Sequence, residues 1–581
     1  MSYEMTAGTS RVRALRAMGR RALALGPVLV AALPVTAVAV GLAGTALLAF
    51  GYPFDDPFAA GGRSLSLRPW HELAATPGIA ASIGLTLWTG IGATVVSAAV
   101  ALLACAWAQG RGLGRKAARL AAPLLAAPHS ALALGLAFLI APGGGLVAAA
   151  SPWLERHPAT AAIAGGGRQG LALLGALVLK DTPFLILVVA DALRRLPTSK
   201  TMSVARTLGY PGTVVFAKLL LPQIYPRIRI ALWLVLALSL SVVDVALIVG
   251  PGGTDHPPTL AVLALRNLTQ SGGHARFAGA AMACLLLAIV AGAIAAWWVL
   301  ERVAAALGRA WIERGGRGVL LTVAARVAAV ICALGFVAGA LALATLLAWS
   351  FAGAWPTGAP WPRDLTLAHW IADGRDAGVA VLATVVIAIA ATAIALLLAV
   401  GGLECEDRSG ARAPAGSPWL LWIPLLVPQI AFLFGIRILL AGTRLDGTWV
   451  AAIATHSIVV VPCLMLAVVG PWRARDRRYA RSARSLGVAP RRVLLRIKLP
   501  LLAGPLLAAC AVAVAASVDQ YLPSVFAGSR GVTTLTTRAV ALASGADRHA
   551  TGVYATLQWL VPLLLCAGAL ALPKRRKEAV A

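Results

Sequence analysis

Charge is what this sequence has least of. Only 13% of its 581 residues are Asp, Glu, Lys or Arg, whereas 59% are hydrophobic, and mean hydropathy is +0.83. Soluble domains carry about a quarter charged residues, so a water-soluble fold is excluded. Acidic residues are scarcest, 22 against 51 basic ones. Eight histidines form no ordered cluster with Asp or Glu on an inner face, which argues against metal or acid-base catalysis. Seven cysteines lack a CxxC pair or metal-ligand spacing and read as small hydrophobes. A phosphate loop of the form G-x-x-x-x-G-K-[ST] is missing too: GRGLGRKA at 110–117 has its glycines and lysine in the wrong order. The chain is therefore not expected to hydrolyse ATP or to carry a cofactor or metal. The alternating pattern of a membrane barrel is also absent.

What is present is apolar length. Runs of about 20 residues, enough to cross a hydrocarbon core about 30 Å thick, recur along the sequence. Twelve are expected, near 22–50, 78–107, 119–141, 170–192, 228–250, 277–300, 326–350, 377–403, 418–440, 448–470, 501–526 and 552–573. Hydrocarbon offers backbone groups no partners, so these are helices. The first run is too long for the core of a signal peptide, about 7 to 15 residues, and is read as a span. The fold class is an all-α membrane protein.

A net charge of +29 invites a nucleic-acid reading, but the basic residues are segregated. Arg11, Arg13, Arg16, Arg20 and Arg21, then Arg111, Arg115, Lys116 and Arg119, then Lys574, Arg575, Arg576 and Lys577 all fall on one face of a twelve-span chain. The positive-inside rule makes that face, and both termini, cytoplasmic. No aromatic-interleaved basic platform lies outside the spans, so the charge reports topology rather than nucleic acid.

The sequence also repeats. Leu65-Ser66-Leu67-Arg68-Pro69-Trp70 returns 300 residues later as Leu365-Thr366-Leu367-Ala368-His369-Trp370, and at the same offset Pro128 and Gly135 meet Pro428 and Gly435. After a longer loop in the first half the offset is 278: Ala205-Arg206-x-Leu208-Gly209 matches Ala483-Arg484-x-Leu486-Gly487, and Leu221-Pro222 matches Leu499-Pro500. Asp244 then matches Asp519 at 275. The order implies a parallel duplication of six spans, with halves 1–310 and 311–581.

Between the fourth and fifth span of each half lies a basic segment of some 30 residues. A helix-compatible stretch reaches a glycine, then an amphipathic stretch runs into Leu-Pro. Glycine permits a sharp turn and proline can begin the next helix. A helix-turn-helix on the membrane face is expected.

Glycine, nine residues, an aliphatic residue, one residue and Leu-Pro resembles the EAA loop of permease subunits of binding-protein-dependent ABC importers, most closely the fused double permeases of the iron(III), thiamine and polyamine branch. The matches are Gly209, Leu219, Leu221 and Pro222, and Gly487, Ile497, Leu499 and Pro500. Ala205 and Ala483 keep the motif's alanine, but Ser203 and Arg481 stand where the family usually has glutamate. The resemblance implies that two copies of a separate ATPase subunit receive these loops, with Leu208 and Leu486 beside the turns. It also implies an outer binding protein that delivers a small solute to loops 51–77, 142–169, 351–376 and 527–547, in a bacterial inner membrane. Two six-span halves also describe proton-coupled facilitators, and GRGLGRK and GGLECEDRSGAR look somewhat like their loop of glycine, acid and base. The rival, however, would place its main inner loop between spans six and seven.

Polar residues inside spans are costly and mark pathways or partners. Asp244 and Asp519 occupy corresponding places; they either attract a cation, such as thiamine, a metal ion or a polyamine, or cap local structure. Lys180 and Asp181 either neutralise each other or face a pathway. His129, Gln429, His456 and Arg437 read as packing or interface residues. Pro128, Pro183, Pro428 and Pro462 mark kinks.

Overall fold

The structure is a computed structural model that describes residues 25–52, 65–114, 124, 127–140, 170–252, 257–270, 273–313, 316, 318–356, 359, 362–409, 417–528, 531–543, 545 and 547–578. The N-terminal arginine cluster, Arg115, Lys116, Arg119 and loop 142–169 lie outside these residues, as do the side chains of the basic tail. The described residues are helical throughout; their one β contact is an isolated bridge between Ala352 and Leu365.

Nine described helices are long and apolar enough to cross a membrane: Gly26–Ala49, Ile79–Gly110, Leu171–Arg194, Gly212–Ser241, His274–Glu313, Leu320–Phe351, Gly374–Ser409, Trp449–Ala474 and Arg548–Gly568. A tenth is the pair Pro490–Leu501 and Ala503–Val518, bent by 76°. The remaining two expected runs are interrupted. The ninth is divided into Ser417–Leu420, Ile423–Leu426 and Gln429–Gly442, and the described part of the third holds the short helix His129–Ile140. The break precedes Pro128 and Pro428, and proline forces the residue before it out of the helical region; Val427 has the corresponding extended backbone, ψ 129°.

The fifth and eleventh runs differ from the continuous spans expected at 228–250 and 501–526. Gly212–Ser241 stops at Val242, whose backbone is extended, and a new helix covers Asp244–Val249. In the second half Ala503–Val518 stops at Asp519 and Leu522–Gly528 resumes. Each break therefore holds one of the two matched aspartates, with backbone groups released from the helical ladder around it.

The first span of each half packs on the opposite half. Gly26–Ala49 lies along Gln429–Gly442, and Val319–Phe351 lies along His129–Ile140. Both crossings are close because of the repeated glycine. A side-chain carbon at Gly435 would strike the carbonyl of Gly41, and one at Gly135 the carbonyl of Ala342. The Gly435 amide also donates to Thr45 Oγ1 at 3.0 Å. The central core (Phe432, Leu433, Phe526, Leu173, Leu260 and Met282 among its members) thus draws on both halves.

Candidate functional site

The two inner-face segments repeat in atomic detail. Helices Thr198–Thr207 and Arg478–Ser485 each end in a glycine with left-handed backbone, Gly209 at φ 79° and Gly487 at φ 80°. Gly209 donates to Arg206 O at 3.0 Å and Tyr210 to Ala205 O at 3.1 Å; Gly487 and Val488 make the matching bonds to Arg484 and Ala483, both at 3.1 Å. This is a glycine-capped helix end in which a left-handed residue lets the chain reverse and satisfies the last carbonyls. Ala205 and Ala483 are buried at the carbonyl that closes the turn. Leu208 and Leu486, just before the glycines, are 66% and 82% exposed. Ser203 and Arg481 are also exposed, and Ser203 lines a groove of about 630 Å³ floored by the end of the second span.

Past the turn each segment contains one π-helical turn, Phe216–Leu220 and Leu494–Lys498. Pro222 and Pro500 follow it. Each proline lacks an N–H and crowds the carbonyl four residues back, and the wider turn accommodates the gap. Leu221 and Pro222 therefore sit within the continuous helix Gly212–Ser241 instead of opening a new one. In the second copy Leu499 and Pro500 lie two residues before the 76° bend.

What anchors the segments differs. In the second, Lys498 Nζ donates to Glu404 Oε2 at 2.6 Å and Asp407 Oδ2 at 2.8 Å. Arg475 also pairs with Asp407, Arg473 with Glu406 at 3.0 Å, and Arg408 with Glu404 at 2.9 Å. These carboxylates belong to GGLECEDRSGAR, so this stretch serves as a clamp on the second inner-face segment. The sequence does not disclose that role, although three acids at the end of one span stand out in a chain with 22 acidic residues. At the 300 offset, Cys405 meets Cys105, and Glu404, Glu406 and Asp407 meet Ala104, Ala106 and Trp107. The first segment instead sets Lys218 4.7 Å over the Trp311 ring and pairs the Thr213 and Thr322 hydroxyls at 2.9 Å.

Several of the polar residues that the sequence places inside spans converge. His129, Asp244 and Asp519 line one cavity of about 250 Å³ together with Gln429, Gln520 and Tyr521. Asp519 accepts from the His129 amide at 2.6 Å and pairs with its Nδ1. This joins the break in the eleventh run to the break before the third helix, across the two halves. Lys180 donates to the carbonyl of Ala127, beside the Pro128 break, and feels the charges of Asp519, Asp181 and Asp244. Asp181 accepts from Ser239 Oγ at 2.9 Å. Asp244 opens the short helix Asp244–Val249 and faces the cavity. Asp244 and Asp519 thus both border the cavity, and only Asp519 bonds a residue of the other half. His129, expected as a satisfied packing or interface residue, has Asp519 as its partner. His456 bonds Ser517 and Ser524, each at 3.0 Å, and is a satisfied core residue.

The described residues contain no group of three or more His, Cys, Asp or Glu able to hold a metal ion. No family model and no solved structure matches the chain. It is, however, 30% identical over 516 residues, 87% of its own length and 90% of the relative's, to the inner membrane ABC transporter permease protein YnjC of Escherichia coli (strain K12). Identity of that level across both halves accords with the helical bundle and its apolar spans. The facilitator alternative is not favoured, and the chain, a transport protein rather than an enzyme, belongs to the inner-membrane ABC transporter permeases.

Proposed function

We propose that this chain forms the whole membrane pathway of an ABC importer, with permease halves 1–310 and 311–581, and takes a small solute into the cytoplasm by alternating access. The observation that carries this reading is the pair of matching glycine-capped turns, 278 residues apart, each presenting an exposed leucine on the inner face. Two copies of an ATPase subunit receive these turns. Closure of the ATPase dimer favours one arrangement of the spans over the other, and this differential binding shifts the population between outward and inward access. An outer binding protein delivers the solute, and both termini lie in the cytoplasm. Arg481 calls for an acidic groove on its ATPase copy.

The central cluster forms part of the pathway. It sets three carboxylates, Asp181, Asp244 and Asp519, against one lysine and His129. A low-dielectric cavity with that excess of negative groups favours a cationic solute. The experiment is reconstitution of the chain in liposomes with the ATPase and binding protein that co-purify with it. Solute-loaded binding protein should stimulate ATP hydrolysis and uptake. Proton-driven uptake by the chain alone, with no response to ATP, would overturn the reading.

A further inference from the structure

At the end of the molecule opposite the inner-face segments, a cavity of about 580 Å³ opens between the two halves. The first half contributes Thr269, Gln270 and Arg276; the second contributes Arg437, Arg444 and Asp446. Three guanidinium groups against one carboxylate is an unusual lining for the rim of an apolar bundle. Arg437 is half-buried in the helix Gln429–Gly442 and, with Arg444, has no side-chain hydrogen bond or ion pair among the described residues. Arg444 is exposed, whereas Arg437, partly withdrawn from water without a partner, is better satisfied when an anion joins it. Asp446 does not take that place, since its Oδ1 is buried without any hydrogen-bond partner.

Two features set these arginines apart. At the 300 offset Arg437 stands where the first half has Ala137. Arg444 also takes up a conformation suited to glycine: at φ 58° it is the only described non-glycine residue with positive φ. A bulky side chain held there is strained, and such strain persists where the surroundings impose it. A glycine at 444 would remove that strain.

We propose that Arg276, Arg437 and Arg444 form a binding site for an anionic group, a phosphate or carboxylate carried by a small solute or by a lipid headgroup. Guanidinium forks bind both groups through paired, charge-assisted hydrogen bonds. The site uses none of the side chains of the central cluster, so it stands or falls separately from the cation reading there.

The test uses the full chain in nanodiscs, with thermal stabilisation followed on titration with inorganic phosphate or succinate. One set of discs is phosphatidylcholine alone; the other contains phosphatidylglycerol. Saturable stabilisation by either soluble probe in the neutral discs is expected, weakened ~10-fold or more in Arg437→Gln. Arg444→Gly should weaken it severalfold while raising the unliganded melting temperature, because the strain is relieved. Asp446→Asn should tighten it, an effect that a merely structural aspartate would not produce. Stabilisation confined to phosphatidylglycerol discs and lost in Arg437→Gln would assign the anion to lipid. Identical behaviour of wild type and Arg437→Gln in both sets of discs would overturn the proposal.

Discussion

The two inner-face segments share one turn and differ in what holds it. Segment 203–222 rests on apolar and aromatic neighbours: Leu220 is buried, and Lys218 lies over Trp311. Segment 481–500 is fixed by buried charge, with Lys498 at the position of Leu220 and bridging Glu404 and Asp407. Above the turns, Gly212–Ser241 runs on without a bend, whereas its counterpart bends by 76° at Leu502. Duplication therefore preserved the local geometry that presents a surface, while the anchor diverged. Buried ion pairs are poor sources of net stability but are severely disrupted when one partner is lost. The second segment should be the more fragile of the two to single substitutions at its anchor.

The largest effect is expected at the shared turn. Gly487→Pro fixes φ near −65°, which the left-handed turn at φ 80° cannot accept. ATPase stimulation by the reconstituted complex should fall ~10-fold or more, because a helix-breaking change worth about 3 kcal/mol is placed in the docking element. Membrane insertion, read by protease protection, should remain normal. Gly209→Pro should act alike, and full transport by either variant would sink the role assigned to the turns.

The anchors should separate the halves next. Glu404→Ala leaves Lys498 with Asp407 alone and should cost about 2 kcal/mol in chemical unfolding, the scale of one hydrogen bond to a charged group. Adding Lys498→Leu, which imports the residues of the first half at both positions, should recover most of that loss. A double variant no better than the single one would show that the anchors are not interchangeable.

Asp519 and Asp244 provide a third comparison. Asp519 ties His129 across the halves, whereas Asp244 lines the same cavity without that tie. Asp519→Asn should reduce transport more than Asp244→Asn, by a factor of about ten if one charge-assisted hydrogen bond separates them. Unchanged transport in both, with intact assembly, would remove the reason to favour a cationic solute.

The duplication, the turn glycines and the matched aspartates were legible because each repeats locally at a fixed offset. The exchange of first spans was not, since Gly41 meets Gly435 and Gly135 meets Ala342 only after the halves fold together. Nor was the pairing of His129 with Asp519, which lie 390 residues apart. The broken spans left a trace in Pro128 and Pro428, but proline signals a kink more often than a full break, because neighbouring helices resupply the lost hydrogen bonds. The acidic clamp was visible as composition and obscure as purpose until Lys498 came to rest on it.

The smallest change in stability should carry a large functional signal. Leu208 and Leu486 are exposed, so Leu208→Asp and Leu486→Asp remove little packing and should shift unfolding by less than about 0.5 kcal/mol. An exposed leucine contributes nothing to the fold that would explain its place beside both turns, yet burial in a partner groove would give it about 2 kcal/mol of favourable transfer. ATPase pull-down should therefore weaken for each variant. Leu486→Asp should be the milder of the two if the many arginines around it already dock against an acidic groove, since charge then shares the work that at Leu208 falls mainly to apolar contact. Equal retention of the ATPase by both variants and wild type would place the docking surface elsewhere on the inner face.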